Sequence, residues 1–296
     1  MGAADAVPGV SGGTIAFMTG IYEELIGSLR RCGPEAVGVL LRDGIAAAWN
    51  YVNGAFLLTL LAGIIFSVVS FARGVLFLLA NYPEMLWAFF FGLILASSWL
   101  VVQEIDRWRM NVASSFVIGT VLAYMVTSIS PAAVEPTPLM IFFSGMIAIC
   151  AMILPGISGS FILLLLGMYA PILAAVKAVD LNTLGLFIVG CVIGLLSFSR
   201  VLNWMFTSYR TTTLALLGGF MLGSLNKVWP WKYTSAYTIN RHGEEVPLVQ
   251  ENILPASYEA MTGQDAYLAM SLVLMAAGAA LVVLLARTAG ASSQQE

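Results

Sequence analysis

Val7-Pro8-Gly9-Val10-Ser11-Gly12-Gly13 and Leu154-Pro155-Gly156-Ile157-Ser158-Gly159-Ser160 carry the same phrase twice, and each is followed at equal distance by glycine, a hydrophobic residue and tyrosine, Gly20-Ile21-Tyr22 and Gly167-Met168-Tyr169. Proline and glycine break a helix, and the N–H groups that such a break exposes find no partner in lipid. In an apolar chain these turns are expected to be buried in protein or to face a polar ligand. Their duplication decides the fold, because it makes two parts of one chain copies of a single architecture.

The chain around the turns is apolar. Of 296 residues, 59% are hydrophobic and 10% charged, and the mean hydropathy is +0.90. This composition excludes an ordinary soluble domain and predicts an all-α polytopic membrane protein. Runs with few or no charges at 54–72, 85–102, 112–129, 139–154, 184–198, 214–225 and 267–286 approach or reach the roughly 20 residues of a spanning helix. A net charge of −3 without any block of lysine and arginine argues against nucleic acid as a partner. Cys32, Cys150 and Cys191 lack metal-ligand spacing and read as packing residues, so neither metal nor cofactor is called for.

The duplication runs well past the turns. Residues 63–82 align without gaps on 190–209, Ser70-Phe71-Ala72-Arg73 on Ser197-Phe198-Ser199-Arg200, and Ala88, Gly92, Leu95 and Ser97 on Ala215, Gly219, Leu222 and Ser224. The turns lie 147 residues apart and these segments 127, so the first copy carries 20 extra residues, read as an interfacial helix and loop over 34–53. Three crossings follow each turn, and an odd number inverts the second copy relative to the first. The expected architecture is two inverted repeats, 1–130 and 131–296, each a re-entrant helical hairpin plus three transmembrane helices, with an external loop at 227–265. Only residues 1–7 precede the first turn, against a full apolar half-helix at 139–154 before the second, so the first hairpin is expected to be truncated. Arg30, Arg31, Arg42, Arg107, Arg109, Arg210 and Arg287 fall on one face, Lys177, Lys227, Lys232 and Arg241 on the other; the positive-inside rule places the arginine face in the cytoplasm.

The equivalent pair Arg73 and Arg200 remains, each following more than 15 uncharged residues. A cation at that depth costs several kcal/mol unless it finds a partner or a wet cavity; snorkelling is the alternative. The turns favour an anion, because half-helix N-termini bear partial positive charge and glycines let the backbone approach a ligand closely. Gly9, Ser11, Gly12, Gly13, Thr14, Gly156, Ser158, Gly159 and Ser160, with Arg73 and Arg200 as bidentate clamps, are the expected phosphate-binding residues. The competing explanation is that these small residues only allow tight helix packing.

An enzyme is not expected. Gly9-Val10-Ser11-Gly12 fits the G-x-S-G pattern of intramembrane serine proteases, but the single histidine, His242, sits in a polar loop. A nucleotide-binding P-loop needs a lysine where Gly12-Gly13-Thr14 has none. A transporter with a site near the membrane midplane fits better, for an anionic lipid or a small soluble anion; a non-transporting lipid-binding scaffold is the third reading.

Residues 4–14, Ala-Asp-Ala-Val-Pro-Gly-Val-Ser-Gly-Gly-Thr, together with the later Leu-Pro-Gly-Ile-Ser-Gly-Ser, closely resemble the signature of a bacterial membrane family, the PopT-type undecaprenyl phosphate translocases. The resemblance extends from residue 4 to about 287. It implies a multi-pass protein of the bacterial cytoplasmic (inner) membrane that returns undecaprenyl phosphate, or a related polyprenyl phosphate, from the outer to the inner leaflet for cell-envelope synthesis. The expected mechanism is alternating access with the headgroup between the turns and the tail in lipid. Carrying a phosphate inward opposes an inside-negative potential by about 2.3 kcal/mol per charge per 100 mV. Proton cotransport relieves this, with Asp5 and Glu84 as candidate carriers; the alternative for both is a solvated or capping carboxylate.

Overall fold

The structure is a computed structural model and describes residues 1–2, 11–129, 136–239 and 245–292. Helices α1 (Gly12–Met18) and α2 (Tyr22–Arg31) follow the first turn, and α8 (Gly159–Leu165) and α9 (Tyr169–Ala178) follow the second. The glycine of each Gly-x-Tyr sits between the paired helices at positive φ, +76° at Gly20 and +68° at Gly167, where a side chain is disfavoured. The chain bends there, by 108° between α8 and α9. Helix α3 (Pro34–Tyr51) occupies the extra residues of the first copy, starts on a proline, and leaves Leu41 and Ile45 each 80% exposed.

The long elements are α4 (Gly54–Asn81), α5 (Pro83–Gln103) and α6 (Met110–Ser128) in the first copy, and α7 (Pro138–Ile153), α10 (Leu181–Ser224) and α12 (Leu268–Ser292) in the second. Four helices among the described residues are long and apolar enough to cross a membrane, and up to six segments qualify if each bent pair is one span. The chain is a multi-pass membrane protein.

Where the sequence predicts two spans at 184–206 and 214–225, α10 comprises two helical segments that meet without an intervening loop at a kink, Tyr209, whose backbone is not helical. Its backbone there, φ −141° and ψ 45°, repeats that of Tyr82, φ −142° and ψ 55°, which lies 127 residues earlier and separates α4 from α5. The next residue explains the difference. Pro83 has no N–H to continue the ladder and opens a new helix, whereas Arg210 carries the helix on. The Thr213 hydroxyl bonds to the carbonyls of Met205 (3.0 Å) and Tyr209 (2.9 Å), serving groups that the kink frees.

The long helices pack crosswise between the copies. A methyl group placed on Gly92 of α5 would lie 2.0 Å from the Met275 carbonyl oxygen of α12, and one on Gly278 of α12 would lie 2.2 Å from that of Phe89. In the matching seam, Gly219 of α10 faces the Phe116 carbonyl of α6 at 2.2 Å, and Gly119 of α6 faces that of Leu216 at 2.3 Å. Gly92 and Phe89 correspond to Gly219 and Leu216 at the 127-residue offset, so each contact has its counterpart. Small residues let these backbones touch, which is how helices associate where no hydrophobic effect drives them together. Helix α7 packs on the first part of α10 in the same manner, through Gly145, Gly190 and Gly194.

The predicted external loop contains structure that its composition did not suggest. Strands β1 (Lys232–Ile239) and β2 (Glu245–Asn252) form an antiparallel hairpin, followed by α11 (Pro255–Thr262). Trp229 and Trp231 tie it down. Their indole N–H groups donate to the carbonyls of Ile253 (2.8 Å) and Ala266 (2.9 Å), and Phe91, Trp229 and Trp231 pack edge to face in series.

Candidate functional site

The two turns meet inside the helix bundle. Ser11 caps α1 with extended backbone, and its hydroxyl oxygen accepts from the Gly13 N–H at 3.1 Å. The same hydroxyl lies 3.1 Å from the carbonyls of both Met152 and Leu154, at the end of α7. From the other side, the Gly156 N–H donates to the Thr14 hydroxyl at 2.9 Å. A methyl group on Gly13 would lie 2.5 Å from the Ile153 carbonyl, so glycine is what allows this approach. Ser11, Gly12, Gly13, Thr14, Gly156, Ser158 and Gly159 are all buried.

Helix α8 folds back on α7, with Gly159 placed where a methyl would lie 2.6 Å from the Ala148 carbonyl. Ser158 occupies the cap position of α8 in the same extended conformation as Ser11, φ −97° and ψ 130°, yet makes no capping bond. Its hydroxyl instead pairs with that of Ser160 at 2.9 Å. Gly156, at φ +88°, rests against Met221, Phe220 and the Ser224 hydroxyl of α10. The second turn is thus walled by the end of α10, three residues before Lys227.

Two lysines absent from the sequence-derived site stand beside it. The Lys227 ammonium sits 4.3 Å from the centre of the Phe161 ring of α8, and that of Lys232 sits 4.2 Å from the Trp87 ring of α5. Lys232 also donates to the Lys227 carbonyl at 2.6 Å. Among the described residues neither has a carboxylate partner. Burial depresses the pKa of Lys227; burial first, and then the neighbouring Lys227 charge, holds Lys232 well below the usual lysine range. Their spacing from Ser224, the counterpart of Ser97, was the available signal, but the aromatic partners come from distant segments.

Arg200 is exposed, and its guanidinium lies against Gly33 at the end of α2, where a glycine Cβ would meet Nη2 at 2.4 Å. It makes no hydrogen bond or ion pair among the described residues. The structure therefore joins the two turns to each other and leaves Arg200 outside that contact. Arg73 lies in α4; its side chain, like Asp5 and Gly9, falls outside the described residues. Glu84 is buried at the start of α5 and accepts a short hydrogen bond from the Tyr258 hydroxyl of α11, with the Gln264 side chain 3.0 Å from the same hydroxyl. Burial, then this bond, raises the Tyr258 pKa.

The far end of α10's second part, about 21 Å away at 1.5 Å per residue, presents different chemistry. Arg210 pairs with Glu23 at 3.0 Å and with Glu104 at 3.7 Å. A polar basin of 380 Å³ there is lined by Asp106, Arg107, Arg109 and Arg210. At the lysine end an apolar groove of 760 Å³ runs between Phe91, Tyr124, Leu222, Trp229 and Ile253.

Apolar spans packed around the buried Ser11–Thr14 segment and the buried turn at Gly156 make this a multi-pass membrane protein, and comparison with known proteins gives its class, a transporter. A family profile described as undecaprenyl phosphate translocase-like matches residues 1–246, and the chain belongs to that family. It is 50% identical over 283 residues to a polyprenyl-phosphate transporter of Vibrio cholerae, covering 96% of this chain and 92% of the relative. It is 31% identical over 251 residues to a polyprenyl-phosphate transporter of Staphylococcus aureus, covering 78% and 83%. No solved structure matches it. Family and relatives describe a transporter, not an enzyme.

Proposed function

We propose that this protein carries undecaprenyl phosphate, or a related polyprenyl phosphate, across the bacterial cytoplasmic membrane from the outer to the inner leaflet. The observation that carries this reading is the contact between two glycine-serine turns in an apolar bundle, in a chain half identical to a polyprenyl-phosphate transporter. Such turns concentrate N–H and hydroxyl donors at one depth, and these donors suit a phosphate. The chain comprises two inverted repeats, 1–130 and 131–296, each with a re-entrant hairpin, and rocking of one against the other presents the headgroup to each leaflet in turn.

In this mechanism the state described is closed over the site, with Ser11 and Thr14 bonded to the opposite turn. Parting of the turns frees those donors for the phosphate, and Arg73 and Arg200 close on its oxygens while the tail stays in lipid. Glu84, buried under Tyr258, and Asp5 are the candidate proton carriers.

The test is transport of a labelled prenyl phosphate into proteoliposomes. Arg73→Ala or Arg200→Ala is expected to abolish it in folded, inserted protein, and arginine to lysine to restore it only in part, because the bidentate fork is lost. Full transport by Arg200→Ala would overturn the clamp. Transport of soluble phosphate in preference to the lipid would move the assignment to a small-anion transporter.

A further inference from the structure

Lys227 and Lys232 are two cations held in a largely apolar setting with nothing negative beside them among the described residues. An aromatic face returns about 0.5–2 kcal/mol to an ammonium, but it satisfies no N–H donor, and each ammonium has three. Lys232 places one on the Lys227 carbonyl, which draws the two residues together. Burying an ammonium is costly, and holding a second one close adds to that cost; burial first, and then the Lys227 charge, depresses the Lys232 pKa. Replacement of both by neutral residues would ease folding, so their presence asks for an anion.

The surroundings specify its shape. Phe161, under Lys227, is the third residue of α8, directly after the Ser158–Ser160 hydroxyl pair. The apolar groove begins close to both lysines: Asn226 precedes Lys227 and Trp229 follows two residues after it, and Asn252 pairs with Lys232 across the hairpin. A charged patch continuous with an apolar trough fits a head that is anionic and a tail that is not.

We infer that Lys227 and Lys232 form a receiving site for a phosphate monoester borne on an apolar chain, at the end of the bundle opposite Arg210, with the chain lying in the groove beside Trp229 and Leu222. This site rests on the transport reading and extends it, giving the headgroup a landing place before it reaches the turns. The lysines bind as point charges with rotatable donors, which suits capture and release better than the fixed fork of an arginine.

The test uses full-length protein in nanodiscs and three probes: a short-chain prenyl phosphate, the corresponding prenyl alcohol, and inorganic phosphate. Lys227→Gln and Lys232→Gln are each expected to weaken prenyl phosphate binding roughly tenfold, the loss of a charge-assisted contact, and to leave the alcohol unaffected. Lys→Arg variants are expected to retain binding. In the wild type, prenyl phosphate should protect both lysines from amine acylation and leave the exposed Lys177 unprotected, a readout independent of any variant's folding. Unchanged prenyl phosphate affinity in the double glutamine variant, or acylation of both lysines at the unprotected rate, would overturn the site. Lysine-dependent binding of inorganic phosphate, with no binding of the lipid, would keep the anion pocket, overturn its lipid assignment and separately sink the transport reading.

Discussion

The two turns share a phrase and differ in what holds them. The first is saturated: Ser11 bonds to Gly13 N–H and faces two carbonyls of α7, Thr14 accepts from Gly156, and Tyr22 after it is buried between Phe17 and Phe206. In the second, Ser158 and Ser160 bond to each other, and Tyr169, the equivalent of Tyr22, is 44% exposed. Similar sequences, which differ at Gly13 and its counterpart Ser160, have thus been assigned unequal tasks, the first turn acting as a latch on the backbone of the second and the second bonding its hydroxyls only to each other. Hydroxyls bonded only to one another are the easier ones to redirect to a ligand, because no carbonyl is orphaned when they turn away.

The sharpest way to break this contrast is Gly156→Ala. A side chain at φ +88°, with the Ser224 hydroxyl at 2.9 Å and Met221 Cα at 3.0 Å, strains the backbone and overpacks α10. The expected loss is roughly 2–5 kcal/mol, seen as a lower midpoint in thermal unfolding of the solubilised protein. Next come Ser11→Ala and Thr14→Val, each expected to lose about 1–3 kcal/mol by stranding buried backbone groups; unchanged midpoints would mean that the first turn is no latch. Tyr22→Phe should act in the opposite direction. Its hydroxyl is buried without a partner among the described residues, so removing it is expected to raise the midpoint by the equivalent of about 1 kcal/mol. The smallest stability effect belongs to the Ser158→Ala/Ser160→Ala double variant, within about 0.5 kcal/mol because both partners of one bond leave together. Its transport should nevertheless fall, and a variant that transports at the wild-type rate would show that these hydroxyls are only packing.

Much of this organisation was legible in the residues, and the failures have physical causes. The turns, the spans and the helix over 34–51 follow from proline, glycine and apolar run length, which are local signals. The direct join between the two parts of α10 at Tyr209 was missed because the matching tyrosines hide the deciding neighbour, Pro83 in one copy and Arg210 in the other. The hairpin was missed because its β-formers, Tyr233 and Thr234 among them, are interrupted by polar residues and followed by Pro247. Lys227 and Lys232 read as ordinary loop charges until Phe161 and Trp87 arrive from remote parts of the chain. The crossed seams were hidden because α6 and α12 keep little common sequence beyond the glycines 119 and 278 that the packing requires.

Those crossed seams also constrain how the protein is made. Helix α5 finds its glycine-lined partner in α12, which leaves the ribosome after α4, α6, α7 and α10, and α6 waits for the second part of α10. Through most of synthesis two inserted helices therefore present bare backbone faces to the bilayer, where quality-control proteases and chaperones for membrane segments recognise unpaired spans. Neither 1–130 nor 131–296 is expected to persist if produced alone, whereas co-production of the two pieces should restore both, as intertwined chains rather than as halves laid side by side.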